Sequence, residues 1–125
     1  MYQVHGPHTV LPELFDELGD LVAAGKVLRF GIGAESVDDT TGWLAVNGLR
    51  VVQLPFGVLD PEAADIVFPC ARQRGIELWA RGVLGGGLLT LAERAPAALD
   101  GEPKLPLIDA LRELGAELEL DPYEL

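Results

Sequence analysis

Apolar positions along this chain repeat with two periods, and the switches between the periods set out its elements in order. The opening "MYQV" (1–4), apolar except at Gln3, reads as a short buried strand. In 11–25, Leu11, Leu14, Leu18, Leu21 and Val22 recur at helical spacing, and Gly25 stands where a helix stop belongs. A second apolar run covers 26–34. Residues 36–48 then open on Ser36 as an N-cap, keep Asp38 and Asp39 in the first turn, and end at Asn47 and Gly48. The third run is "RVVQLPF" (50–56). Asp60 is the expected cap of a helix over 60–75, with Pro61 at its first position, Gly75 as its stop, and Pro69 as a bend or interruption. "IELWARGVL" (76–84) forms the fourth run. A Pro- and Ala-rich loop (95–106) leads into a last helix over 105–120, with Leu107, Leu111, Leu114 and Leu118 on one side. Asp121 and Pro122 then read as the start of a further helix.

Four strands, each followed by a helix, predict parallel βαβ units with right-handed crossovers, hence an α/β fold. An eightfold barrel of such units takes about 250 residues, so four units amount to half of one. The alternative is a small doubly wound sheet, which buries its strands on both faces in the same way.

Composition narrows the partners. With 125 residues, 49% of them hydrophobic, and a mean hydropathy of +0.24, the chain has the makings of a single domain (1–125) with a real core. Nine Lys and Arg against twenty Asp and Glu leave a net charge of −11, which repels phosphate backbones and anionic headgroups. Nucleic acid and membrane are therefore not expected as partners. No apolar run approaches the roughly 18 residues that span a bilayer, no leader pattern opens the chain, and Cys70 has no second cysteine to pair with. These features fit a cytoplasmic location.

In either architecture, ligands sit beyond the carboxyl ends of the strands. The residues there are His5, the turn 33–36, Gln53 to Phe56, and Arg81 to Gly87. A histidine that polarises a carbonyl, an amide that pairs with a carboxamide, and a cation beside a glycine-rich turn suit an anionic cofactor and a carbonyl substrate. The plainer readings are structural. "GGG" at 85–87 lacks the Lys-Ser/Thr of a phosphate loop, and "GIGAES" lacks the third glycine of a dinucleotide fingerprint. Cys70 is expected as a small buried residue and Trp79 in the core, while His8 has no assigned role. Asp38, Asp39 and the acidic run from Glu113 to Glu124 read as helix-start charges and a solvated face, so no metal site is expected.

"YQVHGP", "LVAAGKVLRFGIGA", "VVQLPFGVLDPEAA" and "GIELWARGVLGGGLLT" stand in the order and at the spacing seen in the aldo/keto reductases, which the chain resembles over nearly its whole length. The tail "LRELGAELELDPYEL" also resembles that family's paired helices. The resemblance implies a partial TIM (β/α)8 barrel, covering roughly its fourth strand to seventh helix, and NAD(P)H-dependent reduction of aldehydes and ketones. It implies that His5 hydrogen-bonds the substrate carbonyl as the catalytic residue and that Gln53 binds the nicotinamide carboxamide. Arg81 would lie against the nicotinamide ring, where an aromatic is usual, and Leu84 and Gly86 would wrap the pyrophosphate of NADP(H) or NAD(H). Gly33 and Ala34 replace the usual Ser and Asn, and Glu35 adds a negative charge. The Asp, Tyr and Lys that complete the family's catalytic group belong to earlier strands, so the expectation is a family fragment that is inactive by itself. The alternative is a non-catalytic half-barrel module that self-associates through open strand edges.

Overall fold

The computed structural model describes residues 1–5, 12–90 and 96–121, which fall into two compact units. The first unit, Met1–Phe56 with Glu62–Arg81, holds strands β1 (Tyr2–His5), β2 (Phe30–Gly33), β3 (Val51–Pro55) and β4 (Glu77–Arg81). They alternate with helices α1 (Pro12–Ala23), α2 (Val37–Trp43) and α3 (Ala63–Arg74). All neighbouring strands are parallel and lie in the order β1-β2-β3-β4, so each βα crossover adds the next strand to the same edge. This is the α/β arrangement of a partial (β/α) barrel.

Strand alternation divides the sheet into two faces. Val4, Phe30, Ile32, Val52, Leu54 and Leu78 point toward the helices and join a core with Phe15, Leu18, Leu44, Val67 and Ala71. Phe15 bridges the layers, its ring 5.8 Å from Phe30 and 6.0 Å from Trp43. The other face carries the intervening residues: Gln3 and His5, Gly31 and Gly33, Val51 and Gln53, Glu77, Trp79 and Arg81. Trp79 is thus half-buried on that face, outside the core expected for it, and its Nε1 donates to Glu77 Oε1 at 2.7 Å.

Local signals place most element ends. Ser36 Oγ accepts from the Asp39 amide at 3.0 Å, as its N-cap position requires. Gly75 closes α3 in the left-handed conformation at φ 64°. Other expectations are corrected. The segment expected as strand from Lys26 starts pairing only at Phe30, because Lys26 and Val27 donate back to the Leu21 carbonyl and wrap the end of α1. The helix expected over 36–48 stops at Trp43. α3 begins at Ala63, and Asp60 does not cap it: Asp60 closes a tight bridge with Gly57, and its carboxylate is bonded to Lys104 Nζ. α3 also runs through Pro69 without interruption, and Pro69 and Asp65 are both exposed, so the bond that proline cannot donate is lost on the solvent side.

The second unit, Gly57–Pro61 with Gly82–Leu125, contains two 3₁₀ turns, Gly85–Gly87 and Pro96–Leu99, and helix α4 (Leu105–Leu118). Its core is Leu59, Leu89, Leu99 and Ile108, with Leu105 and Leu111 against it. The buried side of α4 is turned from the expected one: Leu107, Leu114 and Leu118 are exposed, Leu111 alone of the expected four packs on the core, and the buried side runs through Ile108 and Gly115. Cys70, expected inside, is exposed on α3. His8 and the further helix expected from Pro122 onward lie outside the described residues.

Candidate functional site

The parallel register puts four strand ends at one edge of the sheet, where His5 pairs in line with Gly33, Gly33 with Gln53, and Gln53 with Trp79. Alternation turns His5, Gln53 and Arg81 toward the face away from the helices. Together with Gly33 and Glu35 they line a cavity of about 380 Å³. Three of the five residues singled out in the sequence, His5, Gln53 and Arg81, are thus brought to one place.

Gln53 and Arg81 are held by their neighbours. The Gln53 carbonyl accepts from the Ala34 amide at 2.8 Å, which fixes the turn carrying Glu35 to β3. Arg81 Nη2 donates to the Ala34 carbonyl at 2.8 Å, so its guanidinium is anchored across the strand ends. Gln53 Oε1 accepts from Gln3 Nε2 at 3.4 Å. Gln3 was not singled out in the sequence, although its place two residues before His5 puts both on one face.

Leu84 and Gly86 belong to the second unit. Leu84 is exposed, and its carbonyl accepts from the Gly87 and Leu89 amides at 3.2 and 3.4 Å. Gly85, Gly86 and Gly87 all take positive φ, at 62°, 64° and 99°, a path that side-chain-bearing residues rarely follow. Around Gly86 nothing lies within 4 Å of where a Cβ would stand, so the turn presents bare main chain.

At the opposite end of the strands, Glu77 accepts from Trp79 Nε1 and from Arg29 Nη1, the latter at 2.5 Å. The Trp79 hydrogen bond, followed by the Arg29 bond, holds the Glu77 carboxyl below the usual carboxylate range. A lowered folded-state value means the contribution is present above the ordinary carboxylate pKa and lost as pH falls through the lowered one. In a Trp43→Phe background, where Trp79 is the one remaining tryptophan, its emission is expected to titrate with a midpoint below that of a free glutamate. A midpoint at or above the free value would show the carboxylate bonds absent in solution.

Among the described residues no group of three His, Cys, Asp or Glu is placed to hold a metal ion, and no helix is long and apolar enough to cross a membrane.

Four parallel βα units added in sequence order are the arrangement of a partial (β/α) barrel, and sequence comparison assigns its family. The profile of the aldo/keto reductase family matches residues 1–125, and the chain belongs to that family. It is 32% identical over 92 residues to the aldo-keto reductase YhdN of Bacillus subtilis (strain 168), a match covering 72% of this chain and 28% of that protein. It is 29% identical over 122 residues to the aryl-alcohol dehydrogenase GME11368 of Pestalotiopsis microspora, covering 89% of this chain and 30% of that one. The chain thus spans less than a third of the length of these curated relatives.

Proposed function

We propose that these residues form the carbonyl- and nicotinamide-binding part of an NAD(P)(H)-dependent oxidoreductase acting on aldehydes, ketones or the corresponding alcohols. The observation that carries this reading is the convergence of His5, Gln53 and Arg81 on one cavity in a chain that matches the family along its whole length.

The residues present suit the cofactor. An amide and a guanidinium beside Gly33 suit a flat ring bearing a carboxamide. Within the second unit, the main chain left open at Gly86, next to Leu84, suits a pyrophosphate. When bound, such a cofactor exchanges a hydride with the carbonyl carbon. Gln53 would pair with the carboxamide and fix which face of the ring is turned to the substrate. Arg81, held by the Ala34 carbonyl, would close the far side of the ring. His5 would donate an imidazole N–H to the carbonyl oxygen and stabilise charge developing there.

No tyrosine or lysine lines the cavity among the described residues, so an alkoxide formed at His5 has no phenol or ammonium group beside it to supply a proton. The purified 125-residue chain is therefore expected to show no NADPH oxidation above blank with an aldehyde. Turnover clearly above blank would overturn that expectation. The binding role is tested separately with nicotinamide mononucleotide, which carries the ring without the adenosine: the His5 and Gln53 side-chain resonances are expected to shift on titration. A self-associating binding module is the second reading, favoured by the single neighbour that β1 and β4 each have among the described residues. A discrete dimer in solution, with no response to the mononucleotide, would support it over the first.

A further inference from the structure

Gln3 and Gln53 stand on the same face of the sheet but on strands that do not touch, with β2 between them. Gln3 is level with Gly31, and Gln53 is level with Gly33. Two strand spacings amount to roughly 9.6 Å, so the amides meet only by reaching over β2. They do meet, with Gln3 Nε2 donating to Gln53 Oε1 at 3.4 Å. Both positions of β2 on this face are glycine, which leaves a corridor. A Cβ on Gly33 would stand 3.7 Å from Gln3 Nε2 and 3.8 Å from His5 Cδ2, so a longer side chain there would occupy the space the amides use.

A glutamine amide has an acceptor end and a donor end, and its last torsion leaves the two almost freely interchangeable. In the arrangement seen, Gln3 presents its donor end and Gln53 turns its acceptor end toward it. With Oε1 engaged, the group Gln53 has left for the cavity is its Nε2, a pair of donors. We infer that Gln3 is a positioning residue that sets the Gln53 amide donor-outward, so that the cavity recognises the carbonyl oxygen of a ligand carboxamide rather than its amino group. This rests on the reading of Gln53 as the nicotinamide-binding residue.

The test compares Gln3→Leu, Gln3→Glu, Gln53→Leu and the double variant Gln3→Leu/Gln53→Leu, with thermal unfolding of each to establish that it folds. Two readouts are taken. One is the position of the Gln53 side-chain amide signals in the unliganded chain, and the other is the dissociation constant for nicotinamide mononucleotide. Gln3→Leu frees the amide to rotate, which should move the Gln53 signals and weaken binding about three- to tenfold, the worth of one neutral hydrogen bond. Gln3→Glu offers an acceptor where the native residue offers a donor. It should turn Gln53 the other way, acceptor-outward, and weaken binding more than Gln3→Leu does, although the side chain is nearly the same size. A structural role for Gln3 would instead make the leucine change the worse of the two. In the Gln53→Leu background, the change at Gln3 should have no further effect.

The two ways of failing are distinct. Native affinity in Gln53→Leu, or no binding by the native chain, refutes the nicotinamide reading. Weakened binding in Gln53→Leu with native affinity in both folded Gln3 variants refutes the positioning role alone. Unmoved Gln53 signals in folded Gln3→Leu refute it without any ligand.

Discussion

Phe30→Ala is expected to cost about 3–5 kcal/mol, which is a large part of the roughly 5–15 kcal/mol that holds a domain together. Phe30 is 1% exposed at the start of β2. Its ring meets Phe15 of α1, and its edge lies against Gly48, where an added Cβ would come within 3.3 Å of Cζ. Removing the ring therefore opens a hole between the sheet, α1 and the turn before β3. None of the three can close it, because each is tied elsewhere: β2 by pairing on both sides, α1 by Leu18, and the turn by Leu49. Urea unfolding followed by Trp43 emission in a Trp79→Phe background measures the cost, since Trp43 packs on the same Phe15. An unchanged midpoint would show that Phe30 does not anchor the helical layer.

Gly31→Ala, one residue along and on the opposite face, is expected to destabilise by the reverse mechanism. An added Cβ would stand 2.7 Å from the Val51 carbonyl oxygen and 2.9 Å from Val51 Cβ. Neither neighbour can yield, since Val51 is fully buried in the β2–β3 ladder. Overpacking of this kind costs about 1–3 kcal/mol, which lowers the melting temperature by roughly 4–12 °C in a chain of this size. Gly33→Ala is the control: its nearest contacts would be 3.7–3.8 Å, and it should melt close to the native chain. Equal melting temperatures for the two variants would show that β2 and β3 are not packed so closely.

The strand order and the parallel pairing were legible in the sequence because short apolar runs and helical stripes alternate strictly, and because Ser36 and Gly75 act on their own neighbours. What was not legible depended on choices between distant partners. Asp60 has every local mark of a helix cap, yet Lys104, far along the chain, engages its carboxylate. α4 carries two overlapping stripes that share Leu111, and the buried one was hidden because it passes through Gly115, which has no side chain to register as apolar. Cys70 was judged by its residue type, but only the packing of α3 settles which of its sides is covered. The candidate site shows the same division. His5, Gln53 and Arg81 could be picked out because each ends a strand. The bond from Gln3 to Gln53 could not, since it follows from register across three strands.

The order of the sheet also bears on how the chain comes together. Each strand pairs with its predecessor across one helix, Tyr2 with Phe30, Gly31 with Val51 and Val51 with Glu77, so the three loops to be closed are of similar length. Loop-closure entropy grows only with the logarithm of length, and these closures differ by about 0.3 kcal/mol. Topology therefore gives no pairing a head start. The difference lies in what each pairing buries, and that favours β2 with β3, the two strands whose residues are mostly sealed from water, over the more open β1 and β4.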